Sequence, residues 1–87
     1  MAYRITILPA ALRDLAALPK PDQRRTSQRI DHLAEDPRPP GAKMLQGRRR
    51  FFRVRCGDYR IIYTVEADRQ RVLVLKIGHR RDVYKRL

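Results

Sequence analysis

Two runs of β-forming residues, FFRVRC (Phe51 to Cys56) and YRIIYTVE (Tyr59 to Glu66), are separated by nothing but Gly57 and Asp58. β-branched and aromatic residues suit a pleated strand, and a two-residue connection between strands makes a hairpin. A leading glycine predicts a type II′ turn, whose first central residue needs a positive φ. A loop of this length fixes the pairing: Cys56 faces Tyr59, Arg55 faces Arg60, Val54 faces Ile61, Arg53 faces Ile62 and Phe52 faces Tyr63. One face then carries Phe52, Val54, Cys56, Tyr59, Ile61, Tyr63 and Val65, and can pack on helices. The other presents Arg53, Arg55 and Arg60.

A third run, RVLVLKIG (Arg71 to Gly78), continues the meander. The turn at Ala67 to Gln70 leaves its register open, but burial supplies a test. Pairing that turns Leu73, Leu75 and Ile77 inward leaves Val72, Val74, Lys76, Gly78 and Arg80 on the arginine face. The other parity buries Lys76, so the first is expected.

Upstream, YRITILP alternates as a strand until Pro9 ends it, and AALRDLAAL follows with Leu12, Leu15 and Leu18 at helical spacing. A second helix starts with Pro21 in its first turn and runs to about Glu35, with Thr26, Ile30 and Leu33 as its inner stripe. DPRPPGAK (Asp36 to Lys43), with three prolines and a glycine, reads as an extended loop. The expected fold is α+β. A two-helix hairpin packs on a mainly antiparallel four-stranded sheet, and a short C-terminal turn or helix follows.

At 87 residues the chain is read as one domain. A single cysteine, Cys56, excludes an internal disulfide and suggests a reducing, cytoplasmic compartment. No apolar run exceeds four residues, as at Val72 to Leu75, so neither a membrane span nor an export signal is expected. Lys and Arg number 21 against nine Asp and Glu, a net charge of +12, and 17 of the 21 are arginine. Residues 1–47 carry eight basic and five acidic groups, a net of +3, whereas residues 48–87 carry thirteen and four, a net of +9. Arginine's planar fork matches phosphate oxygens, so the bias points to a nucleic-acid partner bound by the C-terminal half.

Arg55 opposite Arg60 sharpens that expectation. Like charges ~6 Å apart repel by roughly 0.7 kcal/mol at the dielectric of water and ~3 kcal/mol at an effective value of 20. An anion between the forks reverses the sign, while solvated heads on snorkelling stems are the plain structural alternative. His32 and His79 lie far apart with no carboxylate at ligand spacing, so no metal is expected, and no cofactor motif or phosphate-binding loop is present. A nuclease without metal has one route on RNA, in which the 2′-hydroxyl attacks the adjacent phosphodiester. The protein must then move one proton and stabilise the phosphorane. Guanidinium groups near a phenol favour its ionised form, which makes Tyr84 a candidate for the proton. Its ring could equally pack on the sheet after Val83.

The order of elements, and above all the pair GDYRIIY and GHRRDVY between Arg53 and Tyr84, resembles the RelE/ParE superfamily of type II toxins, and more closely its RelE branch. The resemblance implies a metal-independent, ribosome-dependent endoribonuclease that cuts mRNA in the A site. It makes Arg60 and Arg80 the groups that stabilise the phosphate and leaving oxygen, and Tyr84 the residue that activates or orients the 2′-hydroxyl. Arg53 and Arg55 stand where relatives bind the RNA backbone, often with lysine. Arginine stays protonated and cannot replace a lysine base, which shifts the proton transfer toward Tyr84. Lys76 joins the RNA-binding surface, and Arg81 is assigned to ribosomal RNA.

The resemblance also implies a cognate antitoxin whose acidic segment wraps the toxin, with operator DNA reached only through that complex. The chief alternative is the ParE branch, a gyrase inhibitor without nuclease activity, whose chains generally lack the Arg60, Arg80 and Tyr84 set. A plain RNA-binding module ranks below both, because the arginines fall in a register rather than a run. The last strand is expected to deliver Arg80 to the arginine face and a terminal turn to bring Tyr84 back over it, with Lys85 to Leu87 as a loose end.

Overall fold

The computed structural model describes residues 2–45 and 47–85, the side chains of Arg48 and Arg49 excepted. In chain order the elements are β1 (Arg4–Ile7), α1 (Pro9–Ala16), α2 (Lys20–His32), β2 (Lys43–Leu45), β3 (Arg48–Cys56), β4 (Tyr59–Glu66), a 3-10 turn (Ala67–Arg69) and β5 (Arg71–His79). One sheet holds five strands in the order β1-β5-β4-β3-β2, with β1 parallel to β5 and the other neighbours antiparallel. The class is α+β as expected. The strand count is not, because Lys43, read as the end of the loop, joins Met44 and Leu45, given to no element, in a fifth strand at the edge. That strand is three residues long with a register shift between Met44 and Leu45, a short and irregular edge of the kind that resists adding further strands.

The β3–β4 pairing is the one the turn length predicts, from Phe52 opposite Tyr63 to Cys56 opposite Tyr59. Gly57 carries φ +61° and Asp58 does not share a positive φ, which fits type II′ and excludes type I′. The β4–β5 pairing departs from expectation. Ile61 faces Ile77 and Ile62 faces Lys76, but Tyr63 then faces Val74 and Val65 faces Val72. Leu75 is the extra residue of a β-bulge, and a one-residue insertion reverses the faces of everything beyond it. Val72 and Val74 are therefore core residues, while Leu73 stands opposite Thr64 on the other face. Ile77 points inward and Lys76 outward, as expected. The Asp14 carboxylate of α1 accepts the Ile77 N–H at 3.1 Å, where β1 no longer reaches β5.

The helices cover one face. Ala11, Ile30 and Leu33 meet Val54, Ile61, Tyr63, Val72, Val74 and Ile77 in one buried cluster, with Ile5, Ile7, Leu15 and Phe52 packed at its margin. Pro9 starts α1 and Pro21 lies in the first turn of α2, positions that tolerate a missing N–H. The Gln23 amide donates to the Leu15 carbonyl at 3.1 Å, which the Leu18 N–H also reaches at 3.2 Å, closing the end of α1 against α2. Helix α2 ends at His32, short of the expected Glu35, and Leu33 is buried in the following turn. The proline-rich loop is tied down from beneath: the Tyr63 hydroxyl donates to Pro37 O at 2.8 Å, and the Arg38 guanidinium lies 5.5 Å from the centre of the Phe52 ring. No helix among the described residues is long and apolar enough to cross a membrane.

Candidate nucleic-acid interface

The helix-free face of the sheet carries its cations in two cross-strand rows. Lys43, Arg53, Ile62 and Lys76 stand side by side on β2, β3, β4 and β5, and Arg55, Arg60 and Gly78 form the next row on β3, β4 and β5. Directly opposed residues have Cβ atoms ~4.5–5.5 Å apart, so each row holds its charges within reach of successive phosphates. Lys43 is a member the sequence reading missed, because the linker hid its strand. At the end of the hairpin, Arg25 of α2 sets its guanidinium 3.7 Å from where a Gly57 Cβ would stand and pairs with Asp22. Among the described residues the ion pairs are Asp22–Arg25, Glu66–Arg71 and Asp82–Lys85, so no carboxylate neutralises Arg53, Arg55, Arg60, Arg80 or Arg81.

Beyond β5, residues 80–85 turn back over this face. The Arg80 N–H donates to Asp58 O at 2.8 Å, docking the segment on the β3–β4 turn. Val83 is completely buried and sits on Gly78, where a side chain would come within 3.3 Å of it. Ile62 is also fully buried, although it faces away from the helices and lies outside the main core. The Lys76 ammonium donates to Lys85 O at 2.7 Å. The terminal turn is thus a small second apolar layer, pinned by a lysine. Lys85 is held rather than loose, and Arg86 and Leu87, also expected to be loose, lie outside the described residues.

The expected residues differ in what they present. Arg55, Arg80 and Arg81 are exposed, Arg53 is half-buried, and Tyr84 is 42% exposed, its neighbour Val83 having taken the packing role. Arg60 is only 9% exposed, with Nη1 donating to Gly57 O at 3.2 Å and Tyr59 O at 3.1 Å. Those two carbonyl dipoles offset part of the repulsion from Arg55, so the pair does not by itself demand an anion. Lys76 reaches the expected face but spends one donor on the terminal turn. The arrangement can hold a phosphate backbone along the rows, and the turn docked on the same face carries Tyr84. It offers no metal site: among the described residues no three His, Cys, Asp or Glu side chains gather. A groove of about 660 Å³ lies at the far end of β3 and β4, between Arg38, Phe52 and Arg69, away from the rows.

Known proteins share this design. A family model for the ParE toxin of the type II toxin–antitoxin system parDE matches residues 5–84. The candidate toxin RelE1 of Methanocaldococcus jannaschii is 31% identical over 98% of both chains. Toxin RelG of Mycobacterium tuberculosis is 28% identical over 99% of this chain and 100% of its own. A chain of the archaeal RelE–RelB complex from Pyrococcus horikoshii superposes with a TM-score of 0.82 at 32% identity, covering 95% of this chain and 100% of that one. With a match that runs from the first strand to Tyr84, the chain belongs to the RelE/ParE superfamily, the toxins of type II toxin–antitoxin systems.

Proposed function

We propose that this toxin is a ribosome-dependent mRNA endoribonuclease of the RelE kind, acting in the cytoplasm without metal or cofactor. The observation that carries the reading is the meeting, on one helix-free face, of two rows of cations with a turn that bears Arg80 and Tyr84. In the reaction the 2′-oxygen attacks the neighbouring phosphorus and the bond from phosphorus to the 5′-oxygen breaks. A 2′,3′-cyclic phosphate and a 5′-hydroxyl result. Tyr84 orients the 2′-hydroxyl and, as phenolate, takes its proton, while Arg60 and Arg80 stabilise charge on the phosphorane and the departing oxygen, which water then protonates. Lys43, Arg53 and Arg55 hold the flanking backbone, Lys76 fixes the terminal turn, and Arg81 contacts ribosomal RNA.

A +12 chain also attracts an acidic partner. The relatives crystallised as RelE–RelB complexes support a cognate antitoxin. In this reading its acidic segment covers the cation face, and operator DNA is bound only through it. Inducing the toxin alone and mapping 5′ ends on translated mRNA should give cuts in register with codons. On programmed ribosomes Arg80→Ala and Tyr84→Phe should each cut at least about tenfold more slowly, ~1.4 kcal/mol of barrier. Wild-type rates in both would sink the assignment. The ParE name of the matching family model favours one rival, gyrase inhibition without cleavage. Loss of supercoiling activity together with intact mRNA would establish that rival instead.

A further inference from the structure

Three consecutive amides of the terminal turn end on one residue. The Asp82 and Val83 N–H groups donate to His79 O at 2.8 and 2.9 Å, and the Arg81 N–H donates to His79 Nδ1 at 3.3 Å. This is the pattern of a helix N-cap, in which the capping carbonyl opens the turn and its side chain takes the N–H two residues on. The usual caps are Ser, Thr, Asn and Asp. Histidine differs from them because its acceptor disappears on protonation, and an imidazole that accepts at Nδ1 carries its proton on Nε2. The ring is also held from the side: Tyr59, its partner across the strands, meets it edge-on with centroids 6.0 Å apart. The elements at this corner bring Tyr59 and Arg60 from β4, Asp58 from the hairpin turn, Arg25 from α2, and Arg80, Arg81 and Asp82 from the turn itself.

We infer that His79 is a positioning residue of the cleavage site: in its neutral form it caps the terminal turn and so sets where Arg80, Arg81 and Tyr84 stand beside the rows of cations. The functional half rests on the cleavage reading above, and the structural half rests on the hydrogen bonds alone. When His79 is protonated, Nδ1 becomes a donor facing the Arg81 N–H. The turn then loosens while the sheet, whose core lies on the other face, stays folded.

Two variants separate the roles. His79→Asn keeps an acceptor near the place of Nδ1 and does not titrate, whereas His79→Phe keeps a ring against Tyr59 and has no acceptor. By NMR, the Arg81 amide resonance should follow the titration of the His79 ring in the wild type and be flat with pH in His79→Asn. On programmed ribosomes, His79→Asn should cleave as the wild type does at pH 8 and lose less than it on acidification. His79→Phe should be about tenfold slow throughout, in kcat rather than KM. An Arg81 amide blind to the ring titration, or His79→Phe matching His79→Asn in rate and pH profile, overturns the inference. If the wild-type chain cuts no mRNA, the cleavage reading falls, and the Arg81 resonance still decides whether His79 caps the turn.

Discussion

Gly78→Ala tests how closely the terminal turn is seated. Gly78 lies opposite Arg60 on the helix-free face, and an added methyl would stand 3.3 Å from Val83 Cβ and 3.4 Å from its Cα and Cγ2. Carbon atoms prefer ~3.5–4.0 Å, so the turn must lift by roughly 0.3–0.5 Å. Gly78 has no positive φ, which leaves the contact with Val83 as the whole perturbation. Overpacking costs about 1–3 kcal/mol. A stiffer unfolded chain returns ~0.4–1 kcal/mol and burial of the methyl ~0.8 kcal/mol. The central balance is a loss of about 0.5 kcal/mol, which lowers Tm by roughly 2–4 °C in a domain of this size. The lift is carried directly to Arg80 and Tyr84. If a misplacement of ~1 Å costs about a hundredfold in rate, 0.3–0.5 Å costs about four- to tenfold. Single-turnover cleavage on programmed ribosomes, beside calorimetry, reads both quantities. A wild-type rate in Gly78→Ala, with Tm lowered as expected, would refute the idea that the seat of the turn sets the geometry.

The core and Asp14 make their own predictions. Burial pushes the Tyr63 phenol up to about 12, whereas the unfolded phenol titrates near 10. Below pH 10 both states are protonated and nothing is lost. Between about pH 10 and 12 the unfolded state ionises first, and stability falls by about 1.4 kcal/mol per unit, ~2–3 kcal/mol in all. Tyr63→Phe should start about 1–2 kcal/mol lower at pH 7, because the Pro37 carbonyl loses its donor, and should show a shallower alkaline decline in urea titrations. Equal alkaline slopes in the two proteins would contradict this. Asp14→Ala strands the Ile77 N–H past the end of β1 and should cost about 1–2 kcal/mol, while Asp14→Asn keeps an oxygen there and should cost less than ~0.5 kcal/mol. Equal losses, measured by calorimetry, would mean that charge rather than hydrogen bonding is what Asp14 supplies.

What could be read ahead of the structure follows how local each determinant is. The β3–β4 register depends on two residues, Gly57 and Asp58, and came out residue for residue. The β5 faces depend on a bulge that no residue type announces, since Leu75 looks as good a strand residue as its neighbours. Lys76, Ile77 and Gly78, on the near side of the bulge, fell as expected. β2 escaped notice because three residues beside a proline-rich loop show no period, and with it went Lys43. Arg53, Arg55 and Arg60 were legible as a shared face, but the burial of Arg60 was not, because its carbonyl partners come from a turn whose shape has to be known first. His79 was passed over as a lone histidine. A polar residue two positions before a turn amide is the signal for a cap, and histidine is seldom considered for it.

The pairing of β1 with β5 puts Arg4 opposite Arg71, so the first strand made is the last to find its neighbour. While the chain is being synthesised, β1 has no hydrogen-bonding partner and the helices after it lack most of the sheet they pack against. Contacts this distant in sequence are slow to close and close late. The terminal turn lies later still, on a strand that must already be in place to receive Val83. The cation face therefore comes together only after β5 and the turn beyond it have been made, and a nascent chain that stops short of them cannot present it.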